Sequence, residues 1–202
     1  VRRAFALREI KKLSALVVLS EAWKQKMVEH VGLPPEMVFV VNNPVDPAFE
    51  DAALKMSVDK PDCRILSVGI MSREKGVMDA LEALKLMNSE VPFWFDLAGP
   101  EREPNIREKV SQFIAENGLT AKVNLKSSVW GTEKLGLFRD ASISLLPSYF
   151  ENFPLVVLEA AAAGHAIITT PVGAVPEFFE DGVSAIFVGP GNPRQIADAI
   201  SR

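Results

Sequence analysis

The sequence predicts an α/β fold with a doubly wound parallel sheet. Short runs of β-prone residues alternate with helical segments almost to the end of the 202-residue chain. In the segment 75–87 the apolar residues recur at three- and four-residue spacing, which makes one buried stripe on a helix. Strands that alternate with helices are joined by right-handed crossovers, so helices are expected on both faces of the sheet.

The elements follow in chain order. Strands are predicted at 15–19, 38–41, 64–68, 93–98, 123–125, 143–146, 166–169 and 185–188. Helices are predicted at 75–87, 105–118 and 131–141, the second ending at the stop signal Asn117-Gly118. A further helix is expected to start at Pro154, because proline has a fixed φ and lacks the N–H that a first turn leaves unpaired.

The chain divides into two unequal parts around a linker. Prolines and aspartates without periodicity predict that linker at 44–62. Residues 1–43 are expected to be the end of a preceding domain and a crossover. Residues 63–202 are expected to form a doubly wound unit of ordinary domain size. Because the chain starts at Val1 and stops at Arg202 inside a helical pattern, we expect a piece of a longer protein, shortened at its C-terminus.

Composition excludes several classes of protein. The net charge is −4 and no block of lysine and arginine occurs, so nucleic acid is not expected as a partner. Glu159 and His165 interrupt the best apolar run before it reaches the ~18 residues of a membrane span, and no signal-peptide pattern is found. The single cysteine, Cys63, forms no internal disulfide and is expected to be a small apolar residue in a reducing compartment, hence a cytoplasmic protein.

The segment 1–13 is basic and amphipathic, and two interpretations of it stay open. A solvated helix that covers the preceding domain is favoured. The alternative is a helix that lies on an anionic membrane surface, which would add a peripheral membrane contact.

The sequence lacks the residues and motifs that several common kinds of catalytic site require. With only His30 and His165, an imidazole-based triad has little to work with, and zinc-ligand spacing is missing. His165 is expected to be a surface or packed residue. Walker A, G-x-G-x-x-G and Asp-x-Asp patterns do not occur, so neither a metal nor a cofactor is predicted. What remains is chemistry with backbone amides, a few cations and isolated carboxylates.

Two loops after predicted strands carry candidate ligand-binding residues, since ligands of parallel sheets bind at the carboxyl ends of strands. In 67–76, Gly69 ends a strand, and Arg73 and Lys75 precede a helix N-terminus that would attract anions. The alternative is that both cations are solvent-facing turn residues. In 125–131, Ser127 and Ser128 either meet the edge of a base or act only as caps.

The third loop, 147–159, presents two glutamates in a stretch otherwise free of charge. Glu151 precedes the helix predicted to start at Pro154, and Glu159 lies inside that helix among leucine, valine and alanine. A helix that is apolar on nearly every side is buried, and a buried carboxylate requires a partner. That partner is either a ribose diol or a neighbouring lysine or arginine in the core.

Glu151 and Glu159 resemble the Glu-x7-Glu signature of the retaining glycosyltransferases of family 4, which have the GT-B fold with Rossmann-like domains. The similarity covers essentially the whole chain. It includes ALVVLSEAWKQKMVEHVGLPPEMVFVVNNPVD, LSVGIMSREKGVMDALEAL, FDLAGPE and SLLPSYFENFPLVVLEAAAAGHAIITTPVGAVPEFFEDGVSAIFVGPGNP.

The resemblance implies a role for each site residue. Glu159 would hold the ribose of a nucleoside-diphosphate sugar, Glu151 the hydroxyls of the donor sugar, and Lys75 the diphosphate, with Glu151 and Lys75 as the catalytic pair. The remaining donor-binding residues would be Gly69, Arg73, Ser127, Asn152, Phe153, Pro154 and Leu155. The reaction would need no metal, would retain the anomeric configuration, and would use an acceptor sugar or lipid-linked glycan bound by the N-terminal domain. This chain alone is therefore expected not to transfer sugar.

The sequence departs from the family pattern at two places. Ile70 stands where the family usually has an arginine that partners the lysine on the phosphate, and Arg73 is a candidate replacement. Asn152 and Pro154 stand where glycines are usual, which we treat as variation. Two alternatives stay open: a regulatory module that binds nucleotide sugar without transfer, and another GT-B enzyme such as an epimerase or phosphorylase. The Glu-x7-Glu pair argues against an epimerase, and the cofactor-lysine region of a phosphorylase is missing.

Overall fold

The structure, a computed structural model, describes residues 9–10, 12–54, 63–87 and 92–202. The first part contains two short parallel strands, β1 (Leu16–Val18) and β2 (Val38–Val40). Between them lie helix α1 (Glu21–Lys26), a π-helical turn (Met27–Val31) and a 3₁₀ turn (Pro35–Met37). The predicted amphipathic segment 1–13 falls largely outside the described residues.

A six-stranded parallel sheet forms the centre of the second part. Its strands are β3 (Cys63–Val68), β4 (Phe93–Ala98), β5 (Val123–Lys126), β6 (Ile143–Leu146), β7 (Ala166–Thr169) and β8 (Ile186–Phe187). The spatial order is β5-β4-β3-β6-β7-β8, so the direction of winding reverses between β3 and β6. The predicted doubly wound parallel sheet is confirmed, and each predicted strand is present with ends that differ by at most one residue.

Helices cover both faces of this sheet. They are α2 (Ala48–Leu54), α3 (Val77–Leu86), α4 (Ile106–Glu116), α5 (Gly131–Asp140), α6 (Leu155–Ala162), α7 (Val175–Phe178) and α8 (Pro193–Ile200). Helix α2 lies inside the segment predicted as a linker, and its buried Phe49 packs against α5. Pro154 is the N-cap of α6 rather than its first helical residue.

The apolar core forms two layers, one on each face of the sheet. Successive strand residues point to opposite faces. Ile65 therefore joins the layer that contains α3, α4 and α8, while Leu66 joins the layer that contains α2, α5 and α6. In the first layer, Ile196 and Ile200 of α8 pack against Leu81 and Leu84 of α3. Burial on both faces explains why these strands are apolar without alternation.

The loops that follow β3 and β6 are in close contact. Gly76 ends the first loop with φ +70°, and a Cβ on it would lie 2.2 Å from the carbonyl oxygen of Pro147. Only glycine fits so close an approach in this conformation. The amide of Tyr149 also donates to the carbonyl of Glu74 at 2.8 Å. These contacts bring the side chains of the two loops together.

Within the described ranges, no helix combines the length and the apolar content that crossing a bilayer requires.

Candidate functional site

A pocket of about 410 Å³ opens where the strand order reverses. Its wall is built from the loops after β3, β4, β5 and β6 together with residues of α5 and α6. Crevices at such a reversal, outside the carboxyl ends of the strands, are the usual ligand sites of doubly wound sheets. The volume is in the ordinary range for a small-molecule site.

Lys75 and Glu151 form an ion pair across the pocket wall. Lys75 Nζ lies 2.7 Å from Glu151 Oε1, and the Ser148 hydroxyl donates to the same oxygen at 3.0 Å. Ser148 is itself held, because the buried Thr170 hydroxyl donates to its carbonyl at 2.6 Å. The Ser72 hydroxyl accepts from the Lys75 amide at 3.3 Å, which fixes the 3₁₀ turn Arg73–Lys75. Both charged groups are therefore positioned by their own loops.

Lys134 and Glu159 form a second ion pair in the same pocket. Lys134 Nζ of α5 lies 2.5 Å from Glu159 Oε1, and the Glu159 side chain is only 11% exposed. The other oxygen, Oε2, is buried and has no hydrogen-bond partner among the described residues. The alternative of a salt bridge to a neighbouring cation is thus correct for this structure. It does not exclude a ligand, because both residues line the pocket.

Lys134 was missed by sequence reasoning, although a signal existed. It lies four residues before Phe138, which is fully buried, so the two share the inner face of α5. A cation on the inner face of a helix is an obvious partner for a lone buried carboxylate.

The first turn of α6 gives the pocket a wall of backbone amides. Leu155 and Val156 line the pocket directly after the N-cap Pro154. The first N–H groups of a helix have no intrahelical partner and carry its positive end. This part of the wall suits an anionic ligand group.

The structure brings most of the predicted site residues together. Those that line the pocket are Gly69, Lys75, Glu151, Phe153, Pro154, Leu155 and Glu159. Arg73 is not in this lining; it borders a separate groove with Met78 and residues of α4. Ser128 rather than Ser127 lines the pocket, and Asn152 is exposed with its carbonyl accepting from the Ala174 amide at 3.0 Å. Ligand contacts by Arg73, Ser127 and Asn152 stay predictions.

The pocket is electrically balanced and has an aromatic rim. Among the described residues that line it, two lysines face two carboxylates, and Ile70 adds apolar surface. An anionic ligand must therefore share these lysines with their carboxylate partners. Trp130, the N-cap of α5, is 76% exposed at the rim and offers a flat surface for stacking.

Three titratable residues lie outside the two ion pairs, and their surroundings are described by burial and hydrogen bonds: Tyr149, Cys63 and His165. Burial raises the pKa of Tyr149, and the hydrogen bond and charge of Asp79 raise this pKa further. Burial also raises the pKa of the Cys63 thiol, which packs against the core. His165 is buried between the Ser144 hydroxyl at 2.8 Å and the Phe138 carbonyl at 2.7 Å, as expected for a packed residue. In the part of the chain that the structure describes, no three metal-ligating side chains converge.

A doubly wound parallel sheet with a charged pocket at its reversal point is the arrangement in which α/β proteins, dinucleotide-binding ones among them, bind their ligands. The sequence model of the family described as glycosyl transferases, group 1, matches residues 51–202. The chain belongs to this family.

Curated relatives agree with this family. The D-inositol 3-phosphate glycosyltransferase of Paenarthrobacter aurescens is 28% identical over 198 residues, which cover 92% of this chain and 47% of that protein. A glycogen synthase of Mycobacterium tuberculosis is 27% identical over 192 residues, which cover 95% of this chain and 45% of that protein. The chain spans about half the length of the curated relatives it matches.

Solved structures of GT-B glycosyltransferases share the fold. The Anabaena protein HepE in complex with UDP-glucose matches with a TM-score of 0.82 at 19% identity, over 98% of this chain and 56% of that one. A glycosyltransferase of Rickettsia africae matches with a TM-score of 0.80 at 20% identity, over 96% of this chain and 55% of that one.

Proposed function

We propose that this chain is the donor-binding half of a retaining glycosyltransferase of the family 4 type. The parent enzyme would move a hexose-type sugar from a nucleoside-diphosphate sugar to an acceptor without a metal ion. One observation carries the proposal: Glu151 and Glu159, each paired with a lysine, line one pocket together with the N-terminus of α6. The glycosyltransferase relatives and the neighbour that holds UDP-glucose support this class of ligand.

Each part of a nucleoside-diphosphate sugar has a complementary group in the pocket. The buried Glu159 carboxylate accepts a hydrogen bond from a ribose hydroxyl. Lys75 and the amides of the first turn of α6 hold the diphosphate, one by formal charge and the other by unpaired N–H groups. Glu151 accepts from the hydroxyls of the donor sugar next to that diphosphate. Trp130 at the rim is available to stack on the base.

The chemistry follows from stabilising the leaving group. When the bond between the sugar and the diphosphate breaks, negative charge develops on the nucleoside diphosphate. Lys75 and the positive end of α6 are positioned in advance to stabilise that charge. The acceptor hydroxyl then attacks the anomeric carbon of the oxocarbenium-like sugar from the face that the diphosphate leaves, and its proton passes to the departing diphosphate oxygen, so that the configuration is retained. Glu151 keeps Lys75 in place before the donor arrives, and the diphosphate then shares the lysine.

The acceptor side of the reaction is also part of the proposal. We place an acceptor sugar or lipid-linked glycan on an N-terminal half that precedes this chain in the parent protein. A cytoplasmic location, at or near a membrane surface, is consistent with such an acceptor.

A titration tests the proposed function. We would measure binding of UDP, GDP and ADP to this chain by calorimetry, and repeat it with Glu159→Ala. A charge-assisted hydrogen bond is worth about 1.5–3 kcal/mol, so the variant is expected to bind roughly ten- to a hundredfold more weakly. Glu108→Ala, an exposed carboxylate on α4, is the matched control. If none of the three nucleotides binds, or if Glu159→Ala binds as well as the wild type, the proposed function is wrong.

A further inference from the structure

Lys134 is a largely buried lysine whose ammonium lies next to two aromatic rings and a carboxylate. Its side chain is only 22% exposed, and its ammonium lies 5.4 Å from the ring centroid of Phe49 and 6.0 Å from that of Phe138. Both distances are within the range of cation–π attraction. The two rings also pack edge to face, with centroids 4.9 Å apart. Two aromatic rings from different helices therefore hold the ammonium beside Glu159.

The ion pair leaves each partner with capacity for a ligand. Glu159 uses Oε1 for Lys134, and its buried Oε2 has no hydrogen-bond partner in the described part of the chain. An ammonium has three N–H donors, so Lys134 can serve Glu159 and one ligand oxygen at the same time. Because both side chains line the pocket, a ligand there meets the ammonium and the carboxylate side by side.

We infer that Lys134 is a second residue of the ribose site. It positions Glu159, which accepts a hydrogen bond from one ribose hydroxyl, and it donates a hydrogen bond to the neighbouring hydroxyl. The pair then recognises a vicinal diol with one donor, Lys134, and one acceptor, Glu159. A carboxylate alone would accept hydrogen bonds from both hydroxyls. The inference rests on the proposed function, because it requires a ribose in this pocket.

The test compares two ligands on one variant. The ligands are the nucleoside diphosphate that binds most tightly among UDP, GDP and ADP, and its 2′,3′-dideoxy analogue. Lys134→Met is expected to weaken the ribonucleotide roughly tenfold, and to leave the affinity for the dideoxy analogue almost unchanged, because that analogue lacks both hydroxyls. Lys134→Arg keeps the charge and the donors and is expected to restore much of the preference for the ribonucleotide.

A matched control is available elsewhere in the chain. Lys122 also lies over a phenylalanine, 4.7 Å from the ring centroid of Phe93, and it does not line the pocket. Lys122→Met is expected to leave both affinities unchanged. If Lys134→Met fails to fold because Glu159 loses its counter-charge, the double variant Lys134→Met with Glu159→Leu removes both charges and every hydrogen-bonding group of the pair. It is expected to fold and to bind the two ligands equally well.

The outcomes separate this inference from the proposed function. If Lys134→Met weakens both ligands by the same factor, Lys134 has only a structural role and the inference is wrong, while the proposed function stands. If the wild-type chain binds none of the three nucleoside diphosphates, the proposed function fails and this inference fails with it.

Discussion

Lys75 Nζ lies 2.7 Å from Glu151 Oε1, although the two residues are 76 positions apart in the sequence. The pair joins the loop after β3 to the loop after β6, the two strands between which the winding of the sheet reverses. The ion pair is thus a direct consequence of the topology.

Replacing Lys75 by methionine is expected to weaken nucleoside diphosphate binding roughly ten- to a hundredfold, because the diphosphate loses its charged donor. The corresponding nucleoside, which has no phosphate, is expected to bind equally well to variant and wild type. Calorimetry with both ligands measures this difference. An equal loss for nucleoside and nucleoside diphosphate would show that Lys75 supports the pocket rather than the phosphates.

Gly76→Ala is expected to lower the free energy of unfolding by more than about 2 kcal/mol, as measured by denaturant titration. The added Cβ would have to occupy space 2.2 Å from the Pro147 carbonyl oxygen in a left-handed conformation. Gly118→Ala is the control, because Gly118 has a similar φ of +66° and nothing within 4 Å of its Cβ position. That variant is expected to lose about 1–2 kcal/mol from the conformation alone. Equal losses would mean that the contact with Pro147 relaxes without cost.

Ile70→Arg is expected to tighten nucleoside diphosphate binding about tenfold, because it adds a cation to a pocket in which both lysines are paired with carboxylates. Ile70→Gln, of similar length but uncharged, is the control for calorimetry. Unchanged affinity for the arginine variant would show that position 70 does not reach the phosphates.

Arg73→Ala decides whether Arg73 replaces the arginine that the family usually has at position 70. Its location beside Met78 in a separate groove leads us to expect unchanged nucleotide affinity in calorimetry. A loss of roughly tenfold or more would instead support the replacement.

Tyr149 is the chain's single tyrosine, so its ionisation can be followed by the ultraviolet absorbance of tyrosinate. Burial, and then the hydrogen bond and charge of Asp79, raise its pKa in the folded chain. This environment favours the neutral phenol, so its contribution to stability is fully present below the ordinary pKa of about 10 and is lost as pH rises through the raised value. Asp79→Ala is expected to lower the midpoint of the titration, and Glu82→Ala on the same helix to leave it in place. A midpoint that Asp79→Ala does not move would contradict this assignment.

The periodicity of apolar residues predicts the strands of the sheet, but it does not predict which charged side chains form ion pairs. The buried stripe of α3 and the apolar strands follow directly from residue spacing. The sequence also predicts that Glu159, a carboxylate in an apolar helix, is buried and requires a partner. Its partner Lys134 is 25 residues away on another helix. Only the tertiary fold, in which α5 and α6 both pack against α2, brings the two side chains together.

The differences at single positions have local causes. Arg73 and Lys75 belong to one 3₁₀ turn with three residues per turn, so two positions apart they point to different sides. Ser127 and Ser128 follow a strand, where successive side chains alternate in direction, and sequence did not indicate which one faces the pocket. Helix α2 is short, and it is held by Phe49 rather than by a strong helical pattern, so the sequence of 44–62 predicts a linker instead of a helix.

Helix α8 closes over α3 from the far end of the doubly wound unit. On the ribosome, α3 emerges long before α8, and at about 5–20 residues per second the residues between them take on the order of 5–20 s to be made. During that time Leu81 and Leu84 have no α8 side chains to cover them. A nascent chain with such a stripe is a substrate for chaperones and prone to aggregation. Burial of this stripe in the cell therefore waits until α8 has been translated.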